Sequence, residues 1–199
     1  MAISLSKGSS INLSKEHSGL SEVIVGLGWD VAKKKKGGFF KSLVSSSSNF
    51  DLDASAILCA NGRYSAREDL VYFGHKSHNS GAVKHMGDNL TGEGDGDDEC
   101  IKINLSSLPE KYDKIGIVVN IYSAKSRQQD FSMIENAFVR IVDAKTNVEI
   151  CRDDISGNYD GKTAMIFGNL YKQNGDWQFE AVGEGTSDSD VMQLANRYN

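Results

Sequence analysis

The sequence predicts an all-β protein, mainly an antiparallel β-sandwich, with a short helix and a C-terminal helix. Three observations carry this. Glycine is abundant at 20 residues while Pro109 is the single proline, which suits short strands joined by turns. Many short runs rich in Val, Ile, Thr and aromatic residues follow one another at close spacing, which favours a sandwich over a parallel α/β sheet. Only the end of the chain has a helical period: Val191, Leu194, Ala195 and Tyr198 fall at i, i+3, i+4 and i+7, after a cap at Ser187 or Ser189. A chain of 199 residues with no internal repeat reads as one domain over 1–199.

In order, Ser4-Leu5 and Ile11-Asn12-Leu13 read as short edge segments. Glu22 to Trp29 is a more apolar run, a buried strand that ends at Asp30. Residues 33–49 then break the rhythm. Lys33 to Lys36, Gly37-Gly38, Phe39-Phe40 and Ser45 to Ser48 read as a flexible insertion loop. Phe50 to Leu58 alternates, with Phe50, Leu52, Ala54, Ala56 and Leu58 inward and Asp51, Asp53 and Ser55 on the other face. Leu70 to Phe73, Ala82 to Met86 and Ile101 to Leu105 are further strand candidates. Ser106-Ser107-Leu108-Pro109-Glu110 has N-cap chemistry and a first-turn proline, so the short helix is expected there. Lys114 to Ile121, Ala137 to Val142 and Val148 to Cys151 continue the strands. Ala164 to Tyr171 and Trp177 to Val182 form a closing hairpin through Gln173-Asn174-Gly175-Asp176.

The stretch from 87 to 99 carries the chemistry. Asp88, Glu93, Asp95, Asp97, Asp98 and Glu99 crowd together with no Lys or Arg between them. Carboxylates so close repel one another, which loosens the local fold unless water or a cation neutralises them. Gly87, Gly92, Gly94 and Gly96 let the backbone wrap and turn its carbonyls inward. Hard oxygens on a flexible loop suit Ca²⁺, which takes six to eight oxygen ligands at roughly 2.3–2.6 Å. Mg²⁺ wants fewer carboxylates in rigid octahedral geometry, and Zn²⁺ is disfavoured because no Cys or His lies inside the loop. Asp51 and Asp53 point the same way from one strand, roughly 7 Å apart, so both can reach one cation or one each of two neighbours.

The loop follows no standard calcium rule. With Glu93, Asp95 and Asp97 at EF-hand positions one, three and five, Asp98 falls where glycine is needed and Asn104 where Glu should close the site. It is not a nonapeptide repeat array either. Gly92, Gly94 and Gly96 do not make a phosphate cradle, because Glu93 and Asp95 would repel phosphate and no Lys follows.

Composition excludes other classes. A net charge of −5 argues against nucleic acid as a partner. The N-terminus lacks the pattern of a secretory signal, and no apolar run approaches the ~20 residues of a membrane span. Cys59, Cys100 and Cys151 are odd in number and widely spaced, which reads as reduced thiols in a cytoplasmic protein. Cys59 and Cys100 are expected in the core. His17, His75 and His78 read as exposed turn residues, whereas His85 is close enough to the acidic loop to orient one of its carboxylates. No Ser-His-Asp or Cys-His pairing follows from spacing.

Ser4-Leu5-Ser6-Lys7-Gly8, Val25 to Asp30 and Phe50 to Ser55 join Gly87-Asp88-Asn89, Thr91 to Gly94 and Gly96 to Glu99 in a pattern that resembles the TerD family of bacterial tellurium-resistance and stress proteins. The resemblance extends through Asn136 to Arg140, Ala164 to Tyr171 and Trp177 to Gly183. It implies a cytoplasmic calcium-binding β-sandwich, with Asp51, Asp53, Asp88, Asn89, Glu93, Asp97, Asp98 and Glu99 as the metal residues. It also implies a non-enzymatic accessory or scaffold protein whose partners are other stress-resistance proteins, working near the inner membrane. The chain departs from the family at the 33–49 insertion, at Ile121-Tyr122-Ser123-Ala124, where relatives have His and Asp, and at Asp153-Asp154-Ile155. Two rivals remain. One is a metal-dependent hydrolase or phosphotransferase, which needs a cation and a base aimed at the transferring group; nothing fixes Arg63 or Arg67 there. The other is a calcium-dependent membrane-docking domain using Lys33 to Lys36.

Overall fold

The structure is a computed structural model that describes residues 3, 4, 7–31, 50–87, 96–154 and 159–199. Within these residues, twelve strands and three short α-helices follow in order: β1 Ile3–Ser4, β2 Ser10–Asn12, α1 Leu13–Glu16, β3 Glu22–Val31, β4 Leu52–Ala60, β5 Leu70–Val71, β6 Val83–His85, β7 Glu99–Asn104, β8 Tyr112–Ile121, α2 Ala124–Arg127, β9 Ile134–Asp143, β10 Val148–Asp154, β11 Ala164–Gln173, β12 Asp176–Thr186 and α3 Val191–Asn196. They form two six-stranded sheets, ordered β1-β10-β9-β3-β7-β6 and β2-β12-β11-β8-β4-β5. All neighbours are antiparallel except β1 with β10. This is the expected all-β class.

The alternation read in the sequence builds the interior. Phe50, Leu52, Ala54, Ala56 and Leu58 meet Val25 and Leu27 of β3, Ile101 and Ile103 of β7, and Phe167 and Phe179 in one cluster between the sheets. The opposite face of β4 is not left to solvent. Ile57 and Cys59 join Val118, Ile166, Val191, Leu194, Ala195 and Tyr198 in a second cluster beneath α3. Nearer the start of the strand, Asp51, Asp53 and Ser55 are only 6%, 2% and 0% exposed, with Arg127 against Asp51 and Asn120 against Asp53.

The closing hairpin forms where expected. Asn174 (φ 54°) and Gly175 (φ 88°) are both left-handed, as a two-residue turn matched to strand twist requires. In β9, Asn136 is also left-handed at φ 54° and sits where the register with β3 shifts between Gly28 and Asp30. Two expectations fail locally. Residues 106–110 are turn and not helix; Asn104 Oδ1 accepts from Ser107 N–H and Ser106 Oγ–H, so the capping chemistry closes a turn. The cap of α3 is Asp190, which accepts from Gln193 N–H at 3.0 Å, and not Ser187 or Ser189. The 33–49 insertion lies outside the described residues. Among those described, no helix is long and apolar enough to cross a membrane.

Candidate metal site at one end of the sandwich

The acids gather where β3 ends, β4 begins, the acidic stretch enters β7 and β8 ends. Trp29 Nε1–H donates to the Phe50 carbonyl at 3.1 Å, and Tyr122 N–H to the Asp51 carbonyl at 2.8 Å, which fixes the entry into β4. Asp53 lies across from Asn120 of β8, and its Oδ2 accepts from Asn120 Nδ2 at 3.3 Å. Asp51 Oδ2 is 4.0 Å from the Arg127 guanidinium, which also stacks over the Tyr122 ring.

Glu99 opens β7 on its inward face, in line with Ile101 and Ile103. Its Oε2 accepts from Ala54 N–H at 2.7 Å, so the carboxylate holds the backbone one residue beyond Asp53. His85 Nε2 stands 3.5 Å from the same oxygen, with both side chains fully covered. Gly87 N–H donates to His85 Nδ1 at 3.4 Å, which favours the tautomer carrying its proton on Nε2, toward Glu99. The expected orienting role of His85 is therefore what its position allows.

Asp98 and Asp97 are tied to β3 and β9, in the sheet that also contains β7. Asp98 Oδ2 accepts from Trp29 N–H at 2.9 Å, and Asp98 N–H donates to the Leu27 carbonyl at 2.7 Å. Asp97 gives both oxygens to Arg140, to Nε at 2.7 Å and to the second terminal nitrogen at 3.0 Å. These bonds hold the Arg140 pKa above its ordinary value. Space for this comes from glycine: a Cβ on Gly26 would lie 2.3 Å from Asp97 Oδ2, and one on Gly28 would lie 2.6 Å from the Gly96 carbonyl. Asp97 is thus ion-paired within the fold, not simply one of a repelling set.

Asp51, Asp53, Asp98 and Glu99 come together at this end, and Asp97 flanks them on Arg140. Asp88, Asn89, Glu93 and the basic Lys33 to Lys36 lie outside the described residues. Among the described residues, no three His, Cys, Asp or Glu converge in a group able to hold an ion by themselves. Two participants escaped the sequence reading. Asn120 was visible only as a polar residue inside the apolar run Val118 to Ile121, and Arg140 as the end of the Asn136-to-Arg140 stretch with no role attached to its charge.

Two histidine and cysteine expectations are corrected as well. His78 is buried, 5% exposed, not a turn residue in solvent. Its Nε2 lies 3.1 Å from Tyr112 Oη and 3.4 Å from Asp69 Oδ1, and Tyr112 Oη–H donates to Asp69. Cys59 is buried as expected, whereas Cys100 is half-buried beside Asp97 Oδ2 at 3.7 Å.

Comparison with known proteins gives a consistent set. A family model described as TerD domain matches residues 1–198. Stress response protein SCP2 of Bacillus subtilis (strain 168) is 45% identical over 198 residues, 100% of each chain. Tellurium resistance protein TerD of Serratia marcescens is 44% identical over 186 residues, 93% of this chain and 91% of that one. A solved structure of a homologue of telluride resistance protein (TerD) from Streptomyces coelicolor A3(2) superimposes with a TM-score of 0.71. It covers 91% of this chain and 99% of that one, and at 21% identity the likeness is one of fold.

Proposed function

The chain belongs to the TerD family, and from that premise we propose that it is a calcium-binding stress-response protein that works as a scaffold or interaction module and not as an enzyme. One observation carries the metal reading: Asp51, just before β4, and Asp53, within it, are only 6% and 2% exposed, where the acidic stretch enters β7. Burying carboxylates costs several kcal/mol per ion by general estimate, which Arg127, 4.0 Å from Asp51, offsets only in part and a bound cation would offset further.

The donor chemistry fits. It is all oxygen, carboxylate and amide, and the buried Asn120 Oδ1 and Ser55 Oγ have no hydrogen-bond partner among the described residues. Asp51 and Asp53 would hold the ion together with Asp88, Asn89 and Glu93 of the loop. Glu99, His85 and Asp98 would fix the strands around it, and Asp97 with Arg140 would moor the end of the loop to the first sheet. Bound calcium would supply the positive charge that offsets these carboxylates. Relatives named as stress response and tellurium resistance proteins support a role of that kind; its partners would be other proteins of the same system, in the cytoplasm and at the inner membrane.

Calorimetric titration of the chelator-stripped protein with calcium, with magnesium as control, tests this. Saturable calcium uptake with a higher melting temperature is the expected result. No uptake, or equal uptake of both metals, would remove calcium from the proposal. Flotation with anionic vesicles, with and without calcium, tests the membrane association separately.

A further inference from the structure

We propose that Ser80 is a base-activated nucleophile, a site at which the protein takes an acyl group covalently from a donor with a good leaving group. The inference is independent of the calcium reading: Tyr112, which backs this site, opens β8 at the opposite end from Asn120 and Asp53. Spacing in the sequence shows no Ser-His-Asp pairing, yet the fold assembles one. Ser80 and His78 come from the turn ahead of β6, closed by Gly81 N–H on the His78 carbonyl at 2.8 Å, and Asp69 from the single 3-10 turn Arg67–Asp69 ahead of β5. The hydrogen bonds place each proton. Ser80 N–H donates to His78 Nδ1 at 3.1 Å, so that nitrogen is an acceptor and carries no proton. The imidazole proton is then on Nε2, which faces Tyr112 Oη at 3.1 Å and Asp69 Oδ1 at 3.4 Å. Ser80 Oγ lies 2.7 Å from Nδ1, and against an unprotonated nitrogen the hydroxyl is the donor. Ala82 N–H donates to the same oxygen at 3.2 Å and holds it beside the ring.

Burial divides the roles. His78 and Asp69 are each 5% exposed, whereas Ser80 is exposed, so the base and its carboxylate are shielded and the nucleophile meets solvent. A serine hydroxyl is a weak nucleophile until an adjacent base takes its proton. Here Ser80 Oγ attacks the acyl carbon of an ester while its proton passes to His78 Nδ1. The imidazolium so formed has the Asp69 carboxylate behind Nε2, in the place where a triad carboxylate orients its histidine and stabilises the charge. The carbonyl re-forms, the bond from the acyl carbon to the leaving oxygen breaks, and that oxygen takes the proton from Nδ1. The products are acyl-Ser80 and the free alcohol or phenol, with no oxidant, reductant or further reactant. A positioned base speeds the attack and leaves departure to the leaving group, which sets the donor class as activated acyl compounds such as aryl esters.

Three full-length proteins decide it: the wild type, Ser80→Ala and His78→Gln. Each is incubated with p-nitrophenyl acetate at neutral pH, release of nitrophenol is followed, and peptide mapping by mass spectrometry places the acetyl groups in time. Ser126 is the internal control, since it is also exposed but its hydroxyl donates at 2.9 Å to the Ser123 carbonyl, which is no base. Ser80 of the wild type should take the acetyl group about a hundredfold faster than Ser126, the lower end of what a positioned base contributes. Ser80→Ala should abolish the fast label, and His78→Gln should slow it by a similar factor. Acetyl on lysines alone, or on Ser80 and Ser126 at one rate, overturns the proposal, and so does a Ser80 label that stays as fast in a folded His78→Gln protein. Should His78→Gln not fold, the ratio of Ser80 to Ser126 in the wild type decides alone.

Discussion

Asp97 and Asp53 belong to the same acidic end of the sandwich, yet neutralising them should move the metal-free protein in opposite directions. Asp97 hands both oxygens to Arg140 at 2.7 and 3.0 Å, with the carboxylate 12% and the guanidinium 30% exposed. Hydrogen bonds to charged groups contribute about 1.5–3 kcal/mol each when buried, and the partial exposure of Arg140 discounts that to about 2 kcal/mol for the pair. Asp97→Asn keeps the shape but sets an NH₂ group against the guanidinium. For a chain of this size, 2 kcal/mol corresponds to about 4–8 °C in melting temperature. That loss should appear in calcium and in chelator alike. Asp53→Asn instead removes one of two carboxylates that are nearly fully buried. Its melting temperature in chelator should rise, while the calcium-induced gain, about 2.7 kcal/mol at a hundredfold excess over Kd for the wild type, should shrink. Melting curves followed by circular dichroism in both buffers check the pair. An Asp97→Asn protein that melts above the wild type in chelator would show that Arg140 does not compensate Asp97, and the division of roles would fail.

Burial is the main cause that pushes the Cys59 and Cys151 thiols up to about 12 and Cys100 to about 11. Because the thiolate is the reactive form, Ellman's reagent at mildly alkaline pH should find no fast thiol in the native protein and all three once it is denatured; one fast equivalent would contradict the packing. The Thr146 hydroxyl, donating at 2.7 Å, holds the Asp143 carboxyl below its ordinary range. A depressed folded value gives stability that is present above the unfolded pKa and is lost as pH falls through the folded one. Thr146→Val should therefore melt lower than wild type at neutral pH, with the gap closing in acid; a gap independent of pH would assign the effect to packing. Tyr112→Phe leaves the buried Asp69 without its phenol donor and should cost about 1–3 kcal/mol in urea unfolding, whereas an unchanged midpoint would mean that His78 alone satisfies the carboxylate.

The architecture was legible because most of it is periodic. The alternation from Phe50 to Leu58 and the Asn174-Gly175 turn are local signals, and β4 and the β11–β12 hairpin appear where those signals put them. What the sequence missed depends on distant partners. Ile57 and Cys59 look like the outer face of a half-buried strand until α3, more than a hundred residues later, covers them. Residues 106–110 carry helix-start chemistry, but Asn104 just upstream takes the donors that a cap would use. His78 reads as loop because its partners, Asp69 and Tyr112, come from two other elements.

The site shows the same boundary inside a single motif. Residues 97 to 99 read as three equivalent acids, and the pleat separates them at once. Glu99 faces the interior with Ile101 and Ile103 and caps Ala54, one residue beyond Asp53. Asp98 takes the Trp29 N–H, and Asp97 meets Arg140 from 43 residues away. The glycines of Val25 to Asp30 belong to the same arrangement, since Gly26 gives Asp97 its room and Gly28 does so for Gly96. A motif rich in acid therefore states that charge must be neutralised without stating by what. Here an arginine does it for one acid and a backbone amide helps at each of two others. The two most buried aspartates at this end, Asp51 and Asp53, are outside the acidic run altogether, and each has a partner of its own, Arg127 for Asp51 and the Asn120 amide for Asp53.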